Sequence, residues 1–502
     1  MEKIKLRVVS LVKENRLEFV LIALITLLCL VLRLYKIDQF MTFLGDEGRD
    51  VRVIQKLLSG HLVFIGPQTS IGNMYLGPLY YYLVAPALAI TSGNPVGPAI
   101  EVALLGTLTV ILTWLVGRTW FDKWTGLIAA FLFTISPVAI IYSRSSWNPN
   151  PMPLFALLSI WGIWQTWHQR RYAYLSLIGV SMAFALQMHY LSLLLIPTLG
   201  LYWLLTLKSI WKDQPQKKLF FHHSVIGLVL FLFLMSPLVL FDLKHNFMNL
   251  HAFQAFFSDR QTTVNLNPVR SDRFLPILSQ VTSDMVLSRQ EQFSLPIGIA
   301  LILVAPFLLY RLKKRGPIFL LFTWLFFGFL GLSVYKQHVY AHYYGFIYPA
   351  IYLFLGLVIT KLWRLKLVGK LLSVLILGYL IYLAILFSPV KDNPNNQLAR
   401  TQEIVRLIMK ESGNRPFNFG LIAKQNYDES YRYFFEINHA PMVRGEDKIT
   451  DQLFAVCEDG DSCHPLNNPA YQIAIFGPAK LDKQWNISGV RIYHLLHSPI
   501  IK

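Results

Sequence analysis

Charged residues are scarce in this chain of 502 residues: Asp, Glu, Lys and Arg make up 15% of it, where a soluble protein of ordinary composition carries about 25%. That shortage excludes a water-soluble globular protein. Acids are scarcer than bases, 28 against 46, which leaves a formal net charge of +18. In a soluble chain such an excess suggests nucleic acid. Here the bases cluster in short loops between apolar runs, which is a signal of membrane topology, and no nucleic-acid partner is expected. Cysteine is nearly absent, with three in all. This excludes a disulfide scaffold, and no metal-ligand spacing involves them. Cys29 lies inside the first apolar run and reads as a small core residue. Cys457 and Cys463 suit a short disulfide loop if that part of the chain is outside the cytoplasm, and two separate thiols fit nearly as well. No small-residue cleavage site follows the first apolar run, so it reads as a retained helix and not as a signal peptide. No internal repeat or low-complexity tract stands out.

What the chain has in quantity is apolar length. Hydrophobic residues make up 54% of it, and its mean hydropathy is +0.45. Several runs reach the roughly 17–25 apolar residues that cross a hydrocarbon core. The spans are expected to be helices, because lipid leaves an open backbone unsatisfied. Eleven are expected, near 19–35, 95–117, 126–142, 151–167, 172–188, 191–207, 224–241, 294–310, 317–334, 345–360 and 370–388. Arg33 sits in the first, where it either snorkels to the outer interface or faces the protein interior.

The segment "YLGPLYYYLVAPALAI" (75–90) decides the topology. Counted as a span, it would put five basic loops outside. Left out, the loops "GRTWFDKW", "HQRR", "KSIWKDQPQKK", "RLKKRG" and "KLWRLKLVGK" all fall inside with the basic N-terminus, as the positive-inside rule asks. It is therefore expected to dip into the outer face or lie on it, bounded by Pro78 and Pro86, with four tyrosines suited to an interface. The N-terminus is then inside and the C-terminus outside. Nearly all the unusual polar segments fall on the outer side: "FLGDEGRD", "YSRSSWNPN", "MHY", residues 242–293, "VYKQHVYAHYY" and the tail from 389. The tail 389–502 changes composition. "NQLARTQEIVRLIMKE" reads as an amphipathic helix, and "FNFGLIA", "QLFAVC", "YQIAIFG" and "VRIYHLLH" read as short strands. The expectation is a membrane module over 1–388 and a small extracytoplasmic α/β domain over 389–502.

The stretch "MTFLGDEGRD" (41–50) places Asp46, Glu47 and Asp50 beside the first span. As a helix over 46–59, it puts Asp46 and Asp50 in the same sector as Val51, Val53, Ile54, Leu57 and Leu58, with Arg49, Arg52, Gln55 and Lys56 opposite. The bases are then expected to face water or headgroups. Acids at a helix start are good cap chemistry. A cap does not explain Asp50, one turn later on the apolar side. Both a cap and a catalytic acid fit these residues.

An Asp-Glu pair just after the first span resembles the GT-C glycosyltransferases. The nearest branch is glycosyltransferase family 39, the dolichyl-phosphate-mannose protein mannosyltransferases and bacterial aminoarabinose transferases. "YLGPLYYYLVAP", the run from "GTLTVILTWLVGRTW" to "IIYSRSSW", "MAFALQMHYLSLLLIP" and "HYYGFIYPAIYLFLG" resemble that branch in order and in side of the membrane, over about residues 17–360. The chain departs from the pattern where many members have an Arg at the second span, since Ala99 stands there with Glu101 nearby. It departs again where a late Arg-Tyr is replaced by Tyr343-Tyr344 after His342.

The resemblance implies transfer of a sugar from a polyprenyl-phosphate donor to a hydroxyl acceptor on the outer face, in one inverting displacement. The acceptor is a protein, a lipid or a cell-envelope glycan. Asp46 is the expected base, with Glu47 orienting it or binding sugar. Arg49, Asp50, Arg144, His189, Tyr190, Lys336 and His342 are the expected substrate-binding residues. Among these, Arg49, Arg144, His189, Lys336 and His342, together with Arg52 and His338, are the candidates for the phosphate. Arg144 equally suits an interfacial anchor and His189 a structural role. The run Trp147-Asn148-Pro149-Asn150 reads as a turn slightly better than as a sugar contact, and 242–293 as an acceptor-side lid or a pair of interfacial helices. No cofactor is called for. A divalent ion stays open, although the second outer loop "SRSSWNPN" holds no acid, which favours a metal-independent branch. Two other classes compete: a flippase or transporter of lipid-linked glycans, and a non-catalytic membrane assembly subunit.

Overall fold

The computed structural model describes residues 14–69, 74–258, 272–311, 315–460 and 463–498. Every one of the eleven apolar runs is helical. Among the described residues, seven helical stretches are long and apolar enough to cross a membrane: Arg16–Leu34, Val96–Trp120, Tyr190–Ser209, Gln214–Lys244, Gly316–Val334, Ala341–Trp363 and Leu367–Leu386. Lys123–Ile135, Met152–Gln169, Tyr174–Met188 and Ser294–Arg311 complete the bundle of this multi-pass membrane protein.

Local sequence sets the breaks. Asp122 accepts from the Thr125 amide at 2.9 Å and starts one helix. Asp213 does the same for Gln216 at 3.1 Å, with Pro215 in the first turn, where its missing N–H costs nothing. At Ser136-Pro137 the third run splits into Lys123–Ile135 and Pro137–Tyr142. Proline cannot donate there, so carbonyls are left open, and Arg33 fills the gap by donating to the Thr134 and Phe133 carbonyls at 3.2 and 3.4 Å. Arg33 is 1% exposed, so it faces the interior and does not snorkel. Helices approach closely where side chains vanish. A Cβ on Gly179 would lie 2.0 Å from the Gly227 carbonyl oxygen, the small-residue contact that membrane helices favour.

The elements between the apolar helices follow. The first-loop helix is Gly45–Leu58. The 75–90 segment becomes helical only at Leu79, running to Ile90. In the 242–293 segment, the long helix ends at Lys244 and the helices Met248–Ser258 and Phe274–Met285 follow. Residues 259–271 of that segment lie outside the described residues.

The tail opens with the expected helix, Gln397–Glu411. Four strands form its sheet: β1 (Asn418–Ile422), β2 (Gln452–Cys457), β3 (Ala479–Ile487) and β4 (Val490–His497), in the order β1-β2-β4-β3. β1 and β2 are parallel, joined through the helix Glu429–Ile437, and the other pairs are antiparallel. Two expectations change. "YQIAIFG" is a helix, Tyr471–Phe476, and not a strand. Its run is too short for period to separate helix from strand, and its Ile473 and Phe476, three apart, both face the sheet. The fourth strand is β3, whose alternate residues are polar and exposed at the edge. Cys457 and Cys463 are disulfide-bonded and Cys29 is buried. Phe43 of the first loop packs on Tyr433 and Phe434 of the tail, so one apolar cluster runs from the bundle into the sheet.

Candidate active site

The first-loop helix starts at Gly45, and Glu47 closes its first turn by accepting the Leu44 amide at 3.0 Å. Glu47 is 4% exposed. Burial pushes its carboxyl up to about 7, with Asp46 and Asp50 adding to the rise and backbone hydrogen bonds opposing it. Asp50 is also buried. Burial carries it up to about 6 against the pull of Arg49. Asp46 is the open member of the three, with 40% of its side chain exposed.

Arg49 joins the two aspartates. It donates to Asp46 Oδ1 at 2.7 Å and, through Nε and Nη2, to Asp50 Oδ1 at 3.0 and 2.7 Å. Burial works against its charge, but Asp50 and Asp46 hold the guanidinium above its usual range. The expected orientation of the bases is therefore corrected. Arg49 turns onto its own acids. Arg52 is buried between Glu429 and Glu436 of the tail, donating to Glu436 Oε2 at 2.9 Å. Only Gln55 and Lys56 stay exposed. The wheel carries no record that a second unit covers the side it assigns to the bases.

That unit reaches the acids directly. Tyr427 Oη donates to Asp46 Oδ1 at 2.6 Å and accepts from Arg49 Nη1 at 3.0 Å. Asn426 Oδ1 accepts the Gly45 amide at 2.8 Å, one of the donors a helix start leaves open. The catalytic candidates and the tail meet around a cavity of about 240 Å³, whose wall includes Asp46, Glu47, Tyr142, Ser145, Trp147 and Tyr427.

The other expected residues fall at differing distances from this cavity. His342 stands behind its wall, with its ring 4.3 Å from that of Trp147 and 5.6 Å from that of Tyr142. His189 is one layer further back, stacked on Tyr190 at 4.7 Å, with its Nδ1 accepting the Leu191 amide. The Tyr190 hydroxyl pairs with that of Tyr335 at 2.8 Å. Arg144 faces away from the cavity: it donates to the Tyr35 carbonyl at 2.7 Å and covers the Phe40 ring at 4.2 Å. Burial brings it down to about 10. Lys336 is half-buried in the turn after Gly316–Val334 and does not line the cavity. The Trp147–Asn150 run is a turn, closed by the Asn150 amide on the Trp147 carbonyl. No group of three or more His, Cys, Asp or Glu suited to a metal ion occurs among the described residues.

Sequence reasoning missed Tyr427, Asn426 and the Glu429/Glu436 pair. Nothing local marks them. Their one signal is complementary spacing: Glu429 and Glu436 repeat on one helix face, opposite a lone arginine three residues after Arg49.

The arrangement bears comparison with known proteins. A family model described as dolichyl-phosphate-mannose-protein mannosyltransferase matches residues 76–241. A curated relative, protein O-mannosyl-transferase tmem260 from Dictyostelium discoideum, is 24% identical over 261 residues. That match covers 46% of this chain and 30% of the relative, so the chain spans under a third of that protein's length. The crystal structure of ArnT from Cupriavidus metallidurans bound to undecaprenyl phosphate superposes with a TM-score of 0.63 at 13% identity, covering 96% of this chain and 98% of that one. The fold is GT-C. The oligosaccharyltransferase AglB from Archaeoglobus fulgidus, solved with an inhibitory peptide and a dolichol-phosphate, agrees at a TM-score of 0.54 and 14% identity, over 88% of this chain and 70% of that one. Within this GT-C fold the matched segment 76–241 contains neither the first-loop acids nor the tail.

Proposed function

We propose that this protein moves a sugar from a polyprenyl-phosphate donor to a hydroxyl acceptor on the extracytoplasmic face of the cell membrane, with inversion, and that Asp46 is the base. The observation that carries this reading is the half-open Asp46 carboxylate on the wall of the 240 Å³ cavity, at the start of the first outer helix of a GT-C fold. The names attached to similar proteins support it: mannosyltransferases acting from dolichyl phosphate, and structures solved with undecaprenyl phosphate and dolichol-phosphate. The N-terminus is then cytoplasmic. Residues 1–388 form the membrane module and 389–502 an extracytoplasmic domain.

In the reaction, the acceptor oxygen bonds to the anomeric carbon as the bond from that carbon to the phosphate oxygen breaks. The electron pair leaves with the polyprenyl phosphate. The acceptor proton goes to Asp46 as its O–H bond breaks. Arg49 is spent on the two aspartates, so its part is to hold Asp46 in place. Glu47 shapes the helix start beneath it.

The lipid chain has a matching site. An apolar cavity of about 440 Å³ lies among the helices Phe274–Met285, Ser294–Arg311, Gly316–Val334 and Tyr348–Trp363, with Phe274, Leu278, Phe322, Phe326 and Phe354 in its wall. Asp284 in the last turn of the first of these helices, and Arg289 four residues beyond its end, act electrostatically on Tyr142, which is in the wall of the catalytic cavity. Arg289 is exposed there, and we assign it the donor phosphate.

The test is direct. Purified protein in nanodiscs is incubated with labelled undecaprenyl-phosphate hexoses and an envelope extract from the source cells. Released undecaprenyl phosphate and labelled envelope material are expected together. No release from any donor overturns the reading.

A further inference from the structure

We infer that Tyr427 is a positioning residue for Asp46, so that the C-terminal domain supplies part of the active site. The inference rests on the transferase reading above and assigns a role to the unit that the family match leaves uncovered.

The geometry is selective between the two carboxylate oxygens. Arg49 Nη1 and Tyr427 Oη both donate to Oδ1, at 2.7 and 2.6 Å. Arg49 Nη1 also donates to the Tyr427 oxygen, which closes a three-membered ring of hydrogen bonds. Asp46 Oδ2 has no partner among the described residues. One oxygen is thus fixed by two donors and the other is free to receive the acceptor proton. A carboxylate on a flexible side chain otherwise rotates among states, most of them unproductive, and holding it supplies part of the orientation that catalysis needs.

The helix is shaped to admit the phenol. At Gly45 a Cβ would lie 2.4 Å from the Tyr427 ring, and at Gly48 it would lie 2.2 Å from the Ser430 amide nitrogen. The two glycines flank the acids in "GDEG" and clear the face on which the tail settles. The loop is held independently of the phenol. Asn426 Oδ1 accepts the Gly45 and Tyr427 amides at 2.8 and 2.9 Å, and its Nδ2 donates to Glu458 at 2.8 Å, which fixes the amide's orientation. Arg52 with Glu429 and Glu436, and Tyr433 on the Gly93 carbonyl, anchor the rest of the domain. Removing one oxygen from Tyr427 therefore leaves the domain docked and takes away only the hold on Asp46.

The experiment compares wild type, Tyr427→Phe and Tyr433→Phe in the nanodisc assay, with melting temperature read alongside. Tyr433→Phe also loses a hydroxyl bond between tail and bundle, but one remote from Asp46. In Tyr427→Phe the turnover number is expected to fall about tenfold or more, as suits loss of a hydrogen bond to a charged group. Its donor KM stays within twofold of wild type, again as an order-of-magnitude figure. Tyr433→Phe is expected to keep the wild-type turnover number and KM. A wild-type turnover number in Tyr427→Phe overturns the inference while leaving the transferase reading intact. So does an equal loss in both variants, which would make the contact merely structural. A wild-type preparation that releases no polyprenyl phosphate overturns both.

Discussion

Tyr427 and Asp46 are 381 residues apart in the chain and joined by a hydrogen bond of 2.6 Å. The bond ties a soluble-looking tail to the first loop of a membrane bundle, at the half-exposed acid on the cavity wall.

Replacing that acid is the primary test of chemistry. Asp46→Asn keeps the side chain's shape and removes its basicity. Release of polyprenyl phosphate is expected to fall by about 10²–10⁴-fold, the range a positioned base contributes. The melting temperature should move little, because Asp46 is half-exposed and its partner Arg49 keeps Asp50.

Glu47 predicts a pH dependence of stability. Its folded carboxyl sits at about 7 against an ordinary 4.5. As pH rises from 4.5 to 7 the unfolded chain ionises there and the folded one does not, so stability falls across that window and is flat outside it. The full effect of a fully buried group with such a shift is on the order of 3 kcal/mol. Glu47→Gln mimics the neutral form. It should melt with wild type near pH 4.5 and clearly above it at pH 8, in scans at matched detergent.

Docking of the tail gives a third prediction. Gly48→Ala forces a Cβ against the Ser430 backbone, which cannot yield as a side-chain tip can. Overpacking of this kind costs about 1–3 kcal/mol. Arg52→Ala strands Glu429, 23% exposed, and Glu436, 43% exposed. Both variants should release the tail to limited proteolysis near residues 388–396. Gln55→Ala, on the exposed side of the same helix, should not.

Arg289→Ala tests the phosphate assignment. A cation that holds the donor phosphate in ground and transition states alike changes KM more than turnover. The donor KM is expected to rise about tenfold, in line with loss of a charge-assisted hydrogen bond. A change confined to turnover would move the phosphate elsewhere.

Sidedness is checked with thiols. Cys29 is buried and the other two cysteines are bonded to each other, so an introduced thiol reports alone. Asp46→Cys should react with a membrane-impermeant maleimide added outside intact cells. Lys123→Cys, in a basic loop, should react only after lysis. Labelling of position 46 from the cytoplasmic side alone would reverse the topology.

The apolar helices were legible because their reason for forming is local: lipid leaves the backbone nothing else to bond. The first-loop helix was legible for the same kind of reason, through its wheel and its initiating acids. Asp50 pointing to the apolar side was visible in its spacing. The helix Tyr471–Phe476 was not, because six residues of mixed pattern carry no decisive period. Arg52 was misplaced because its surroundings are made by residues 377 and 384 positions away.

Composition and spacing alone therefore determined a helical membrane bundle and the grouping of Asp46, Glu47 and Asp50 on one short helix after its first span. Which of those acids is open and which are buried was decided only when the chain closed. A carboxylate's surroundings are the donors and the solvent around it, and here one of those donors, Tyr427, comes from a tail the local pattern knows nothing about. Asp46 is held by Arg49 from its own helix turn and by Tyr427 from across the fold. The first partner is three residues along the same helix, where the wheel had set it on the opposite side, and the second exists only in three dimensions.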